Sequence, residues 1–376
     1  VSDVLSAILN RLLQRQGVHH AVLHVETGDG SFRWAAGRGP VRPGGPPLTA
    51  ENPYHIASIT KLFVAALTMR LIENGVLSLD QPIHELIPAD WTDGIHTSRG
   101  IDSSQRITVR NLLAHTSGLP NFLEDAARGQ RSLSARIFAE GDRELTDEEI
   151  VATVRSLEAH FEPQAAEARK VRYSDTNYWL LGLIIREVRG SPLEQTLNTF
   201  IIEPLGLEHT YLAGRSAPKS ATLEASALWF NDQPLELPLF MRSHAAAGGL
   251  IATAGDTVKF MRALSTGRLF REPGTFNVML EHTTRFGFPT DAAAARGPGW
   301  PIAGGLGIFH LQLPRIVTGF RRMPAVIGHT GSTGSWLFHV PEWDLYLAGT
   351  VDQAAGGQIP YRLLPELLRA VETIRG

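Results

Sequence analysis

The run Ala57-Ser58-Ile59-Thr60-Lys61-Leu62-Phe63-Val64-Ala65-Ala66-Leu67-Thr68-Met69-Arg70-Leu71-Ile72-Glu73-Asn74-Gly75 is apolar at helical spacing and is stopped by a glycine. It predicts a strongly apolar, buried helix over Ala57–Asn74. Ser58 and Lys61 lie in its first turn, three residues apart and so on one face. A helix N-terminus offers unpaired N–H groups and positive dipole character, which suit an oxyanion forming beside a serine. A lysine amine among apolar neighbours is destabilised in its charged form, which lowers its pKa and suits it to act as a base or proton shuttle; arginine has no such option. The chain holds four lysines against thirty-one arginines (35 − 4), so a lysine inside an apolar helix asks for an explanation. Taken alone, Ser-x-x-Lys is more simply a helix cap with a snorkelling lysine. A second copy, Ser216–Lys219, has no apolar helix after it and reads as a loop coincidence.

Working outward, the N-terminus from Val1 through about Gln16 forms an amphipathic helical pattern, and His20–Glu26 and Ser31–Ala36 flank Thr27-Gly28-Asp29-Gly30 as a predicted β-hairpin. Leu77–Phe240 alternates helical segments with long loops, its charge-rich part Arg128–Glu149 reading as solvent-facing. Gly304–Leu313, Ala325–His329, Trp336–Val340 and Leu345–Val351 read as successive strands, the last two a hairpin, before a closing helix over Pro360–Ile374. The expected fold is α/β: an antiparallel sheet flanked by helices and built from both chain ends (1–76 and 241–376), with a mainly helical domain (77–240) and the active site between them.

Composition limits the function. The 376 residues suffice for one large or two moderate domains. With 43% apolar and 19% charged residues and a net charge of 35 − 38 = −3, the chain reads as a soluble globular protein without a field to recruit nucleic acid. No apolar run approaches a membrane span. The N-terminus lacks a signal peptide's basic start and cleavage site, which fits a cytoplasmic protein or a mature exported one. With no cysteine there is no disulfide and no thiolate chemistry. His19, His20 and His24 do not suggest a metal site, because adjacent strand residues point to opposite faces and no carboxylate set completes one. No Gly-x-Ser-x-Gly elbow, phosphate loop or dinucleotide fingerprint occurs. No metal or cofactor is expected.

Ser58 and Lys61 are followed, in order and at large separations, by Tyr173-Ser174-Asp175 and His329-Thr330-Gly331. Together these resemble the serine β-lactamase and penicillin-binding-protein superfamily, most closely the class C branch, which includes D-alanyl-D-alanine carboxypeptidases, D-amino-acid amidases and carboxylesterases. Residues 112–120, 202–207 and 246–250 share the resemblance. It implies a β-lactamase/transpeptidase-like fold with Ser58 as nucleophile, Lys61 as neighbouring base and Tyr173 as second proton-transfer group. It also implies an oxyanion site from the Ser58 and Ser332 amides, with His329, Thr330, Gly331 and Asp175 along the substrate.

Two positions depart from the class C pattern. His329 replaces a lysine and supplies less fixed positive charge for a substrate carboxylate. Asp175 replaces an asparagine and, when ionised, only accepts hydrogen bonds; it either lines the substrate or pairs with Lys61, keeping it protonated and moving the base role towards Tyr173, while Asn177 offers an alternative amide donor. Trp229, Phe230, Phe240, Trp300 and Trp336 are candidates for an apolar acyl-pocket wall. The expectation is a serine hydrolase forming an acyl-enzyme, with small-molecule carboxylic esters ranked first, amides or D-amino-acid peptides next and β-lactams below them. A penicillin-binding sensor that acylates without turnover is the rival from another class.

Overall fold

Successive strand residues, which point to opposite faces, are all buried over Ala21–Val25, Trp336–Val340 and Leu345–Thr350, which requires a sheet covered on both sides. The computed structural model, which describes residues 1–281, 283–316 and 318–374, contains such a sheet. Its strands are β1 (Ala21–Thr27), β2 (Arg33–Arg38), β3 (Thr284–Arg285), β4 (Ile302–Gly304), β5 (Phe309–Leu311), β6 (Val326–Thr330), β7 (Trp336–Val340) and β8 (Leu345–Thr350). They are antiparallel in the order β3-β4-β5-β6-β7-β8-β1-β2, and β1 joins β8 through pairs such as Val25↔Leu347. Both chain ends thus contribute to one sheet.

On one face Leu23, Val25, Phe338 and Leu347 pack with the helices α1 (Ser2–Leu12) and α5 (Ile359–Val371). On the other, Val22, Leu337, Tyr346 and Ala348 belong to a larger core with α2 (Thr60–Glu73), α3 (Asp175–Arg189) and α4 (Ala254–Ser265). Burying each such side chain is worth about 1.5–3 kcal/mol, and a one-residue slip would exchange the two faces, so the core fixes the register.

Several sequence expectations need correcting. The first helix stops at Leu12, where its buried face of Leu5, Ile8, Leu9 and Leu12 ends. The closing helix ends at Val371, followed by one 3-10 turn to Ile374; residues 375–376 lie outside the described residues. The strand expected over Gly304–Leu313 is two strands, β4 and β5, with a turn closed by Gly305 N–H donating to the Ile308 carbonyl at 2.8 Å. Arg128–Glu149 is not purely solvent-facing, because it buries Leu133, Ile137 and Leu145. Between the chain ends there are also short strands that periodicity did not reveal: Leu228–Phe230 pairs with Gln233–Leu235, and Leu250–Ala252 pairs with Tyr54–His55 and Tyr211–Leu212. Among the described residues, no helix is long and apolar enough to cross a membrane.

The β4–β5 turn presses on α2. Gly307 has φ +77°, and a Cβ there would stand 2.2 Å from the Ala65 Cβ. Gly307→Ala should therefore destabilise the fold by about 1–3 kcal/mol through backbone strain and overpacking, read as a lower urea midpoint with unchanged m. An unchanged midpoint would mean that turn and helix are not in contact.

Candidate active site

A 3-10 turn over Ala57–Ile59 leads into α2. Ala57 takes φ +46°, a left-handed conformation that costs a non-glycine residue of order 1 kcal/mol. Half-buried Ser58 follows and borders the cleft. Its amide precedes the turn's first closing bond, Ile59 N–H to the Ile56 carbonyl, and so has no partner within the turn.

Lys61 is fully buried. Its ammonium donates to Ser58 Oγ at 3.1 Å, Asp175 Oδ1 at 2.6 Å and the Ala247 carbonyl at 2.6 Å. An ammonium has three donors, and all three are used. The second Asp175 oxygen accepts from Asn121 Nδ2 at 3.0 Å, and His244 Nε2 stands 3.8 Å from the first. Burial pulls the Lys61 ammonium below the ordinary lysine value, while the charge of Asp175 and its hydrogen bond oppose that pull. Burial likewise pushes Asp175 up, but Lys61, then His244 and hydrogen bonds from Lys61 and Asn121, outweigh it and hold the carboxyl at about 2. The pair is ionic, because a neutral lysine would leave the Asp175 charge buried without a counter-ion.

Of the two arrangements open for Asp175 in the sequence, the structure contains the lysine pair, with both carboxylate oxygens engaged by protein donors. Asn177 is no substitute amide donor: it is fully buried, its Oδ1 accepting from Ser117 Oγ at 2.6 Å and its Nδ2 facing His115 Nδ1 at 3.0 Å. Tyr173 lies with its ring centroid 5.0 Å from Lys61 Nζ, its hydroxyl buried without a formed hydrogen bond. Burial, reinforced by the Asp175 charge, pushes its phenol well above the ordinary value, against a smaller opposing influence of the Ser58 hydroxyl. The phenol is therefore neutral near pH 7.

His329 stands on β6 with its ring stacked on Phe309 at 4.1 Å and Nδ1 2.7 Å from the Thr330 carbonyl. Burial first and the Lys61 charge second lower its pKa to about 3, so it carries no charge at neutral pH. Thr330 Oγ1 shares a 2.6 Å hydrogen bond with the Tyr361 hydroxyl. Gly331 is where the strand meets the turn that carries Ser58: a Cβ there would lie 2.7 Å from the Ile56 carbonyl and 2.9 Å from the Ala57 Cβ. Ser332, exposed in the turn after β6, borders the cleft with Ser58. Ser58, Lys61, Tyr173, Asp175 and residues 329–332 thus converge. Ser216 and Lys219 do not: Lys219 is exposed and pairs with Glu203.

The cleft above the serine has a volume of about 1030 Å³. Of the aromatic residues expected in its wall, Phe230 and Phe240 are present. Trp336 is fully buried in the sheet core and Trp229 stacks on His19; Trp300 does not line the cleft itself but stacks on Phe288, which does. Phe138, Phe161, Phe286, Phe288, Phe309 and Tyr361 also line the cleft, and sequence pattern gives no sign of that placement.

A family model described as Beta-lactamase matches residues 5–362. The chain belongs to the Beta-lactamase family. Its similar proteins carry several activities in their names. A putative D-alanyl-D-alanine carboxypeptidase of Escherichia coli (strain K12) is 26% identical over 308 residues, covering 76% of this chain and 66% of that protein. Esterase EstB of Burkholderia gladioli is 25% identical, covering 79% and 77% respectively. The crystal structure of a D-stereospecific amidohydrolase from Streptomyces sp. superposes with a TM-score of 0.74 at 26% identity, over 97% of this chain and 98% of that one. The chain spans two thirds or less of the length of the curated relatives it matches first.

Within this Beta-lactamase family member, the segment that follows α2 holds the second motif in place. The Pro120 carbonyl accepts from Ser174 Oγ at 3.0 Å and Thr176 Oγ1 at 2.6 Å, and His115 Nδ1 accepts from the Ser174 amide at 3.2 Å. Residues 112–120 and 246–250 carry the family resemblance in the sequence without an assignable role, and Asn121, the Ala247 carbonyl and His244 give no sign there of their part in the site, except that Asn121 immediately follows the first stretch.

Asp175→Asn should destabilise the protein by about 3–5 kcal/mol at pH 6, because the Lys61 ammonium loses its counter-charge. The loss should shrink as pH rises and neutral lysine becomes accessible, whereas Lys61→Met with Asp175→Asn should recover much of it. In the unsubstituted chain the Asp175 carboxyl, held at about 2 against an ordinary 3.8, contributes stability that is complete above pH 4 and is lost as pH falls through 2. Denaturant unfolding across pH reads all three; an Asp175→Asn loss independent of pH would rule out the charged pair.

Proposed function

We propose that the chain is a serine hydrolase that forms an acyl-enzyme at Ser58, with carboxylic esters as its preferred substrates. The observation that carries this reading is the set of three contacts made by Lys61, to Ser58, Asp175 and Ala247, beside a neutral tyrosine at the floor of an aromatic cleft. Ser58 Oγ attacks the substrate carbonyl carbon. Its proton passes to the Tyr173 oxygen while the Tyr173 proton passes to the leaving-group oxygen, so the phenol is neutral before and after. Lys61 stays an ammonium and steadies the charge that develops on both oxygens. In deacylation a water proton enters the same relay, and Ser58 Oγ recovers its proton. The Ser58 and Ser332 amides serve as oxyanion donors, each worth of order 3 kcal/mol in the transition state.

The ester preference rests on what the inner site lacks. His329 carries no charge, and Asp175, held by Lys61 and Asn121, offers no donor to a substrate amide. A D-amino-acid amide is the second reading, supported by the likeness over nearly the full length to the Streptomyces D-stereospecific amidohydrolase.

Ser58→Ala should abolish turnover of chromogenic esters and the acyl adduct seen by intact-protein mass spectrometry. Stoichiometric labelling without turnover would instead identify a sensor. Tyr173→Phe should lower kcat by about 10²–10⁴-fold. Because His329 and His244 are held at about 3 and about 4, kcat/KM should show no histidine inflexion near pH 6.5. It should fall on the alkaline side as Lys61 loses its proton, below the ordinary lysine range, and Asp175→Asn should move that fall to lower pH. A rise in activity as Lys61 deprotonates would return the base role to the lysine.

A further inference from the structure

The geometry points to an anion-recognition site at the outer mouth of the cleft, formed by Arg169, Lys170 and Arg285, that takes the charged end of a long apolar substrate. It rests on the hydrolase reading and adds a substrate class to it. All three residues are exposed and line the cleft, and among the described residues none has an ion pair or side-chain hydrogen bond. They stand together because Thr284, next to Arg285, donates through Oγ1 to the Ala168 carbonyl at 3.2 Å. The other charges along the cleft are matched within the protein. Glu124 pairs with Arg296, Asp175 with Lys61, and Arg172 with Asp125 and Asp291. The mouth is thus a local excess of positive charge on a chain whose net charge is −3.

The inner site cannot recognise an anion in this way, since the Lys61 charge is taken by Asp175 and His329 is neutral. The distance between the two regions follows from the sheet. Arg285 is on β3, three strands from His329 on β6, which at about 4.8 Å per strand is about 14 Å. Aromatic rings bridge that gap: Phe309 stacks on His329 at 4.1 Å, and Phe286, adjacent to Arg285, meets Phe309 edge-on at 5.7 Å. Phe288, which also lines the cleft, is 75% exposed and stacks on Trp300 at 5.7 Å. A reactive carbonyl at Ser58, an apolar chain along the phenylalanines and an anionic group at the rim match this layout.

The test compares two chromogenic 4-nitrophenyl esters of equal long chain length, one made from a dicarboxylic acid and ending in a free carboxylate, the other ending in methyl. At low ionic strength kcat/KM should favour the carboxylate by about tenfold, the scale expected from three exposed cations. The preference should vanish for a chain too short to reach the rim, at about 0.5 M salt, and in the triple variant Arg169→Gln, Lys170→Gln, Arg285→Gln, whose folding is checked by thermal unfolding. Equal rates in the unsubstituted protein, or a preference that survives in the triple variant, would overturn the site. If neither ester is turned over, the hydrolase reading fails. Calorimetric binding of the two esters to Ser58→Ala protein, with and without the three substitutions, then decides the anion site independently: tighter carboxylate binding that depends on the three cations supports it, and equal binding overturns it.

Discussion

The buried contact between Lys61 and Asp175 is the constraint from which the site's other properties follow. It joins the first turn of α2 to the first residue of α3, more than a hundred residues apart in the chain, and the Ala247 carbonyl adds a third segment. Removing two charges from water costs several kcal/mol each, and good geometry with full hydrogen bonding is needed to offset it. Both requirements are met, with three acceptors for the ammonium and donors on both carboxylate oxygens. The acid also sits at a helix N-terminus, where the dipole favours negative charge. Because the pair is self-neutralising, Lys61 cannot hold the Tyr173 phenol ionised, and Asp175 pushes that phenol further towards its neutral form.

This inner neutrality shapes the cleft. Charges near the serine are matched and His244 and His329 are uncharged at neutral pH, so aromatic rings line the inner walls and the unmatched cations lie at the mouth. In the proposed reaction, recognition of charge is thereby separated from bond cleavage by a stretch of apolar wall.

The sheet and the helix bearing the serine were legible because burial writes itself into sequence period. The near-continuous apolar run Trp336–Val340 reports a strand covered on both faces, and the apolar run after Lys61 reports a helix buried on nearly all sides. The eight-stranded antiparallel order, drawn from both chain ends, agrees with that reading. The break at Gly305–Ile308 was not legible, since it depends on how closely Gly307 approaches Ala65 in a distant helix. Nor was the composition of the cleft wall: Trp336 and Phe309 are both strand aromatics, and only the sheet's position decides that one fills the core and the other faces the cleft. The Ala247 contact is a backbone carbonyl, which no side-chain pattern reveals, and the choice between the two roles of Asp175 required the three-dimensional distance to Lys61.

The charge state of Lys61 is accessible directly by nitrogen-15 NMR of the lysine side chains. With only four lysines, of which Lys170, Lys219 and Lys259 are exposed, the buried amine can be assigned by Lys61→Met. A Lys61 resonance at the ammonium position at pH 7, slow to exchange and shifting only on the alkaline side, is the expected result. A resonance at the neutral-amine position at pH 7 would contradict the ion pair and the tyrosine relay built on it.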